Sequence, residues 1–190
     1  MKKRVMPSLV SMALAIACLG GSGCTQAPSK PDWKAQLSER IALYGHRNWI
    51  VIADSAYPAQ SREGIETLVI DADQVQTVEA ALHAVAASRH VKPIVYTDQE
   101  LKFVEEKAAP GVENYRQQLA KLTGSYESRT LPHEEVIAKL DDAAKTFRVL
   151  IIKTNMTIPY TSVFLNLDCA YWNADQERAL REAMGRQAGQ

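Results

Sequence analysis

The chain has 190 residues, of which 46% are hydrophobic and 23% charged, enough for one ordinary globular domain with an appendage. Lys+Arg and Asp+Glu both total 22, but residues 1–23 hold three of the basic groups and none of the acidic ones. The remainder carries 19 positive against 22 negative groups, a net charge of −3, which offers no basic footprint for a nucleic-acid backbone.

The appendage is N-terminal. Lys2, Lys3 and Arg4 precede an uncharged run from Val5 to Gly23, most apolar between Leu9 and Leu19. A basic start before a short apolar core is the pattern of a secretory signal. The strongly apolar part falls short of the roughly 20 residues that a spanning helix needs. Gly21, Ser22 and Gly23 then lead into Cys24. Residues 1–23 therefore resemble a bacterial lipoprotein signal, with Cys24 lipidated as the first residue of the mature chain. Gly21 stands where such signals usually carry Leu. Ala15-Ile16-Ala17 before Cys18 has the form of an ordinary cleavage site, so plain secretion or an uncleaved anchor remains open. The expected location is the bacterial cell envelope, lipid-anchored or periplasmic. In the lipoprotein case Cys18 is removed and Cys24 is occupied, so Cys169 has no disulfide partner and reads as a small buried hydrophobe.

Residues 24–32, with "TQAPSKPD" after Cys24, read as a tether, and residues 33–190 as one domain. Trp33 to Tyr44 places Leu37, Ile41 and Tyr44 at helical spacing before Gly45. Trp49–Ala53 is an uncharged run and predicts a strand. Thr67–Ile70 predicts a second strand. Val75 to Ser88, with Val78, Leu82 and Val85, predicts a helix. Pro93–Tyr96 reads as a strand, Gln99–Lys107 as helical, and Val112 to Leu122 as helix up to Gly124. "LPHEEV" starts another helix, with Pro132 in its first turn and two acidic residues near the positive end of its dipole. Arg148–Lys153 and Ser162–Leu167 predict two more strands. From Ala174 onward the tail is helical and charged, with Leu180 and Met184 on one side. Strands alternating with helices predict a single three-layer α/β/α domain around a central mixed sheet. Neither G-x-G-x-x-G nor G-x-x-x-x-G-K-[ST] occurs, so a nucleotide fold has no support.

Four histidines are available. His83 lies within "AALHAVAAS" and reads as a helix-face residue; His90, in "SRHVK", reads as part of a solvated turn. His46 and His133 fall at element junctions, where side chains can converge on a pocket. No H-x-x-x-H, H-E-x-x-H or cysteine cluster is present, so no metal site is expected. No Gly-x-Ser-x-Gly supports a hydrolase nucleophile. Tyr160 and Ser162, two positions apart in "IPYTSVFL", share a face if the chain is extended there. A phenol and a hydroxyl on one face suit a polyol; equally, the Tyr fills the core and the Ser sits at a strand edge.

"GHRNWIVIADSAYP" (45–58) resembles the G-H-x-D-x-(apolar)-D-A-x-x-P signature of the D-ribose pyranase and L-fucose mutarotase family. "PYTSVFL" resembles that family's P-Y-A-N-I-I-L or K-Y-G-N-I-L-L segment. "LPHEEV" stands where ribose-type members carry a His-Glu, and "LVIDAD" is similar to the fucose-type stretch before the first long helix. The elements follow the family's order from about residue 35 to 168. The resemblance implies an isomerase that interconverts the anomeric or ring forms of a monosaccharide without a cofactor. It implies His46 as the catalytic base and Asp54 as the carboxylate that holds it, with the Trp49–Ala53 strand carrying Asp54 back beside the His46 loop. It implies His133, Tyr160 and Ser162 as pocket residues. A sugar also calls for an aromatic face, for which Tyr57 and Trp172 are the candidates. Members form ring-like decamers with pockets completed by a neighbour, so a homo-oligomer is expected. Asn48 and Ser162 replace the family's Asp and Asn, and the segment from "DCAYW" onward extends past the family's usual end. A lipid-anchored sugar-binding protein without catalysis, or a structural envelope lipoprotein, therefore stands beside the enzyme.

Overall fold

Two apolar runs, Trp49–Ala53 (β1) and Val149–Lys153 (β5), pair in parallel, and all of β1 and all but the last residue of β5 are buried. Uninterrupted apolar strands are what a sheet covered on both faces requires. The computed structural model describes residues 32–188. Residues 1–31, which hold the expected signal segment, Cys24 and most of the expected tether, lie outside the described residues.

The other strands are β2 (Ile65–Val69), β3 (Val91–Asp98), β4 (Ser128–Leu131) and β6 (Val163–Cys169), in sheet order β2-β5-β1-β6-β3-β4. β6 is antiparallel to both β1 and β3, and the remaining pairs are parallel. β1 to β5 thus point one way and β6 the other. The C-terminal ends of five strands meet the N-terminal start of β6 at one end of the sheet.

Helices α1 (Trp33–Leu43), α2 (Gln74–Ala87) and α3 (Val112–Thr123) cover one face, and α4 (His133–Ala143) covers the other. Alternation along the strands divides the core accordingly. Ile50, Ile52, Leu150, Ile152 and Leu165 pack with Leu37, Val78, Leu82 and Leu119. Trp49, Val51, Ile151, Phe164 and Tyr96 pack with Val136 and Leu140 of α4. This is the expected three-layer α/β/α domain with a mixed central sheet. Helix α5 (Ala174–Ala188) has no buried residue through Arg186, and Leu180 and Met184 are exposed.

Several elements differ from expectation. Asp32, assigned to the tether, is the N-cap of α1, accepting from the backbone N–H groups of Lys34 and Ala35. β4 went unforeseen, because an exposed edge strand shows no apolar alternation to read. The stretch from Gln99 holds only a 3₁₀ turn to Phe103. His90 is no solvated turn residue: its Nε2 lies 3.0 and 2.9 Å from the carbonyls of Ile41 and Tyr44, capping the end of α1. Cys169 is half-buried rather than buried.

Candidate functional site

β1 ends at Ala53, and Asp54 follows at the sheet's C-terminal end. Its Oδ1 accepts from the Ala56 N–H at 2.9 Å, which fixes the carboxylate in a turn. Its Oδ2 lies 3.5 Å from the Ser162 hydroxyl, which leads into the adjacent β6. On the other side of β6, Thr97 faces Val163, so Asp98, the last residue of β3, comes level with Ser162. β3 thereby brings a second carboxylate to the same end.

Asp98 has a partner that the linear sequence does not announce. Its Oδ2 lies 3.1 Å from His133 Nδ1, within hydrogen-bond distance. His133 is the first residue of α4, and its backbone N–H donates to both oxygens of Glu100, at 3.1 and 3.0 Å. Pro132 offers this helix no side-chain cap, so a carboxylate from the turn after β3 supplies one. The Tyr160 ring stands edge-on to the His133 ring, with centroids 5.7 Å apart.

Tyr160 has φ 58°, a left-handed backbone that a bulky residue enters at a cost of roughly 1–2 kcal/mol. The next residue is clamped. The Thr161 carbonyl accepts from the Gln74 amide at 2.9 Å and from the Tyr115 hydroxyl at 2.5 Å. Gln74 is fully buried; it also donates to the Ile52 carbonyl and accepts from Thr154 Oγ1. This network ties β1, the segment after β5 and the start of α2 to the Tyr160 turn. Because the turn is left-handed and β6 starts only at Val163, Tyr160 and Ser162 do not share a strand face as the spacing suggested. Tyr160 is exposed and Ser162 buried.

The electrostatics follow from crowding carboxylates where water is scarce. Asp98 is pushed up to about 6, chiefly by burial. The His133 bond opposes that rise, and the charges of Glu100 and Asp54 add to it. Burial likewise pushes the Tyr57 phenol up, helped by Asp141, Asp98 and Asp54. Tyr57 Oη and Asp98 Oδ1 are both buried without a hydrogen-bond partner.

Asp54, His133, Tyr160 and Ser162 thus gather at one end of the sheet. His46 does not. It is exposed in the turn before β1, where the Arg47 N–H donates to the Leu167 carbonyl near the far end of β6. Five strand residues at about 3.3 Å each hold it roughly 16 Å or more from Asp54. The expected return of Asp54 to the His46 loop within one chain therefore does not occur, because a strand carries its ends apart. Asn48 is occupied with backbone: its Oδ1 accepts from Gly45 N–H and its amide donates to the Arg148 carbonyl. An Asp could not make the second bond. Tyr57 belongs to the core, and Trp172 follows the far end of β6, bonded to Glu177; neither offers an aromatic face beside Tyr160. Asp98, Glu100 and Gln74 were missed. The available signal was an Asp closing an apolar strand, the same punctuation that marked Asp54. Among the described residues no three His, Cys, Asp or Glu groups come together as a metal site, and no helix is long and apolar enough to cross a membrane.

No curated protein matches the chain. Among solved structures it resembles ribose-bound RbsD of Bacillus subtilis at 23% identity and TM-score 0.49, covering 69% of this chain and 89% of that one. It resembles the fucose mutarotase of Streptococcus pneumoniae in complex with L-fucose at 19% identity and TM-score 0.46, covering 72% and 91%. It also resembles FucU from Bifidobacterium longum at 16% identity and TM-score 0.48, covering 70% and 92%. The model of the RbsD / FucU transport protein family matches residues 31–169, nearly three quarters of the sequence. The chain belongs to the RbsD / FucU transport protein family.

Proposed function

We propose that the protein is a monosaccharide isomerase that interconverts the anomeric or ring forms of an aldose by general acid–base catalysis at the C-terminal end of the sheet. The observation that carries this reading is the convergence of His133, Tyr160 and Asp54 there, in a chain of a family whose solved relatives are described with ribose and L-fucose. Ring opening removes the proton from the anomeric hydroxyl, turns C1–OH into a carbonyl and breaks the C1–O bond. The ring oxygen keeps that electron pair and takes a proton. Closure on the other face of the carbonyl reverses both transfers. A histidine near neutrality serves as base, the Tyr160 phenol is placed to donate, and Asp54 is placed to bind sugar hydroxyls. Such proton transfer contributes about 10²–10⁴-fold. The chemistry calls for no cofactor.

His46 enters this reading from a second copy of the chain, whose turn before β1 would cover the site; a homo-oligomer follows. A lipid on Cys24 would hold the assembly in the bacterial cell envelope, where it meets sugar before uptake.

A sugar-binding protein without catalysis is the second reading, favoured by Ser162. Its hydroxyl is buried against Asp54, where the longer Asn of the family pattern would reach further. Saturation-transfer proton NMR on a panel of aldoses, including ribose and fucose, separates the two. Faster anomer exchange with the full chain, lost in His133→Gln, is the expected result. Line broadening without exchange would establish the binder, and neither signal would remove both readings.

A further inference from the structure

We propose that Asp98 is a positioning residue for His133, and that the two form the acid–base couple of the site within a single chain. The catalytic consequence rests on the isomerase reading above; the placement of the proton does not.

Asp98 ends β3 with no exposed side-chain surface, whereas the His133 side chain keeps 30% of its surface open. A carboxylate facing Nδ1 accepts the N–H there, so the neutral imidazole carries its proton on Nδ1 and its lone pair on Nε2. Among the described residues nothing bonds Nε2, which leaves that lone pair for a substrate hydroxyl. Among the described residues no other hydrogen bond competes for Asp98: its Oδ1 has no partner. Glu100 holds the backbone N–H of the same histidine, so the ring is anchored at both its main chain and its inner nitrogen. The Tyr160 ring packs edge-on and limits rotation out of this pose. The charged groups around the couple are Glu100 and Asp54, both acidic, and neither can donate to Asp98 at neutral pH; the buried Tyr57 hydroxyl makes no bond to it among the described residues.

When Nε2 takes the anomeric proton, the resulting imidazolium keeps its Nδ1–H on the Asp98 carboxylate, which stabilises it. His133 is then the residue that touches substrate, and Asp98 acts through it.

The test is ¹⁵N NMR of the imidazole nitrogens in the full chain, with His133 assigned by loss of its signals in His133→Gln. Wild-type protein above the titration range should show a protonated Nδ1 and a bare Nε2. Asp98→Asn presents an amide that can donate to Nδ1, and should move His133 toward the Nε2–H tautomer. Anomer exchange should fall at least tenfold in kcat with KM little changed, and Asp98→Glu should recover part of it. An Nε2–H tautomer in the wild type, or one unmoved by Asp98→Asn, would overturn the proposal. Absence of anomer exchange in the wild type would instead overturn the isomerase reading and leave the tautomer result to decide the placement.

Discussion

His46 and Asp54 stand at opposite ends of β1, the first exposed in the turn before Trp49, the second bonded to the turn after Ala53. Eight positions of sequence become the length of a strand. If the two serve one reaction, they serve it from different chains. His46→Ala and Asp54→Ala should each abolish exchange when prepared alone. Mixed, dissociated and reassembled, the two inactive preparations should regain part of the activity, since some sites then receive both native side chains. Exchange assays on the mixture check this; no recovery in a verified mixed oligomer would mean that His46 and Asp54 do not share a site.

Asp98 should cost the fold stability at neutral pH. Its carboxyl is raised to about 6 in the folded chain, above the ordinary value of 3.8, so the fold favours its protonated form. That contribution is fully present below about pH 4 and is lost as pH rises through about 6. Asp98→Asn removes the ionisation. The variant should gain roughly 1–3 kcal/mol relative to wild type at pH 7, with the difference shrinking toward pH 4. Urea titrations at several pH values measure this. A variant less stable than wild type at pH 7 would mean that the His133 bond outweighs burial.

Gln74 joins segments that the sequence keeps far apart. Gln74→Leu has about the right volume but leaves Thr154 Oγ1 and the Ile52 carbonyl short of partners. The expected loss is about 2–4 kcal/mol by urea denaturation. Hydrogen exchange around residues 160–162 should rise with it, because the Thr161 carbonyl then keeps only its Tyr115 bond.

The left-handed Tyr160 should separate backbone cost from side-chain role. Tyr160→Gly should be about 1 kcal/mol more stable than Tyr160→Ala, since only glycine adopts φ 58° freely. Both should lose exchange to a similar degree, because both remove the ring beside His133. Thermal unfolding and the exchange assay together check the pair.

The layers of this fold were legible in the sequence because they rest on periodicity. The buried apolar runs of β1 and β5 and the 3.6-residue spacing of Val78, Leu82 and Val85 each carry their own signal. His133, Tyr160 and Asp54 were also legible, as polar residues punctuating element ends in a family pattern. What the sequence could not decide was which of them meet. Strand direction and sheet order set that, and neither is a local property. β6 runs antiparallel between β1 and β3, so it brings Ser162 level with Asp98 and sends the neighbourhood of His46 to the opposite end. Within one chain, the histidine–carboxylate contact at this end of the sheet is therefore His133–Asp98, 35 positions apart in sequence and 3.1 Å apart in space. Spacing along a chain reports which side chains share a face of one element; which elements share an end is decided only when the whole core closes around the sheet.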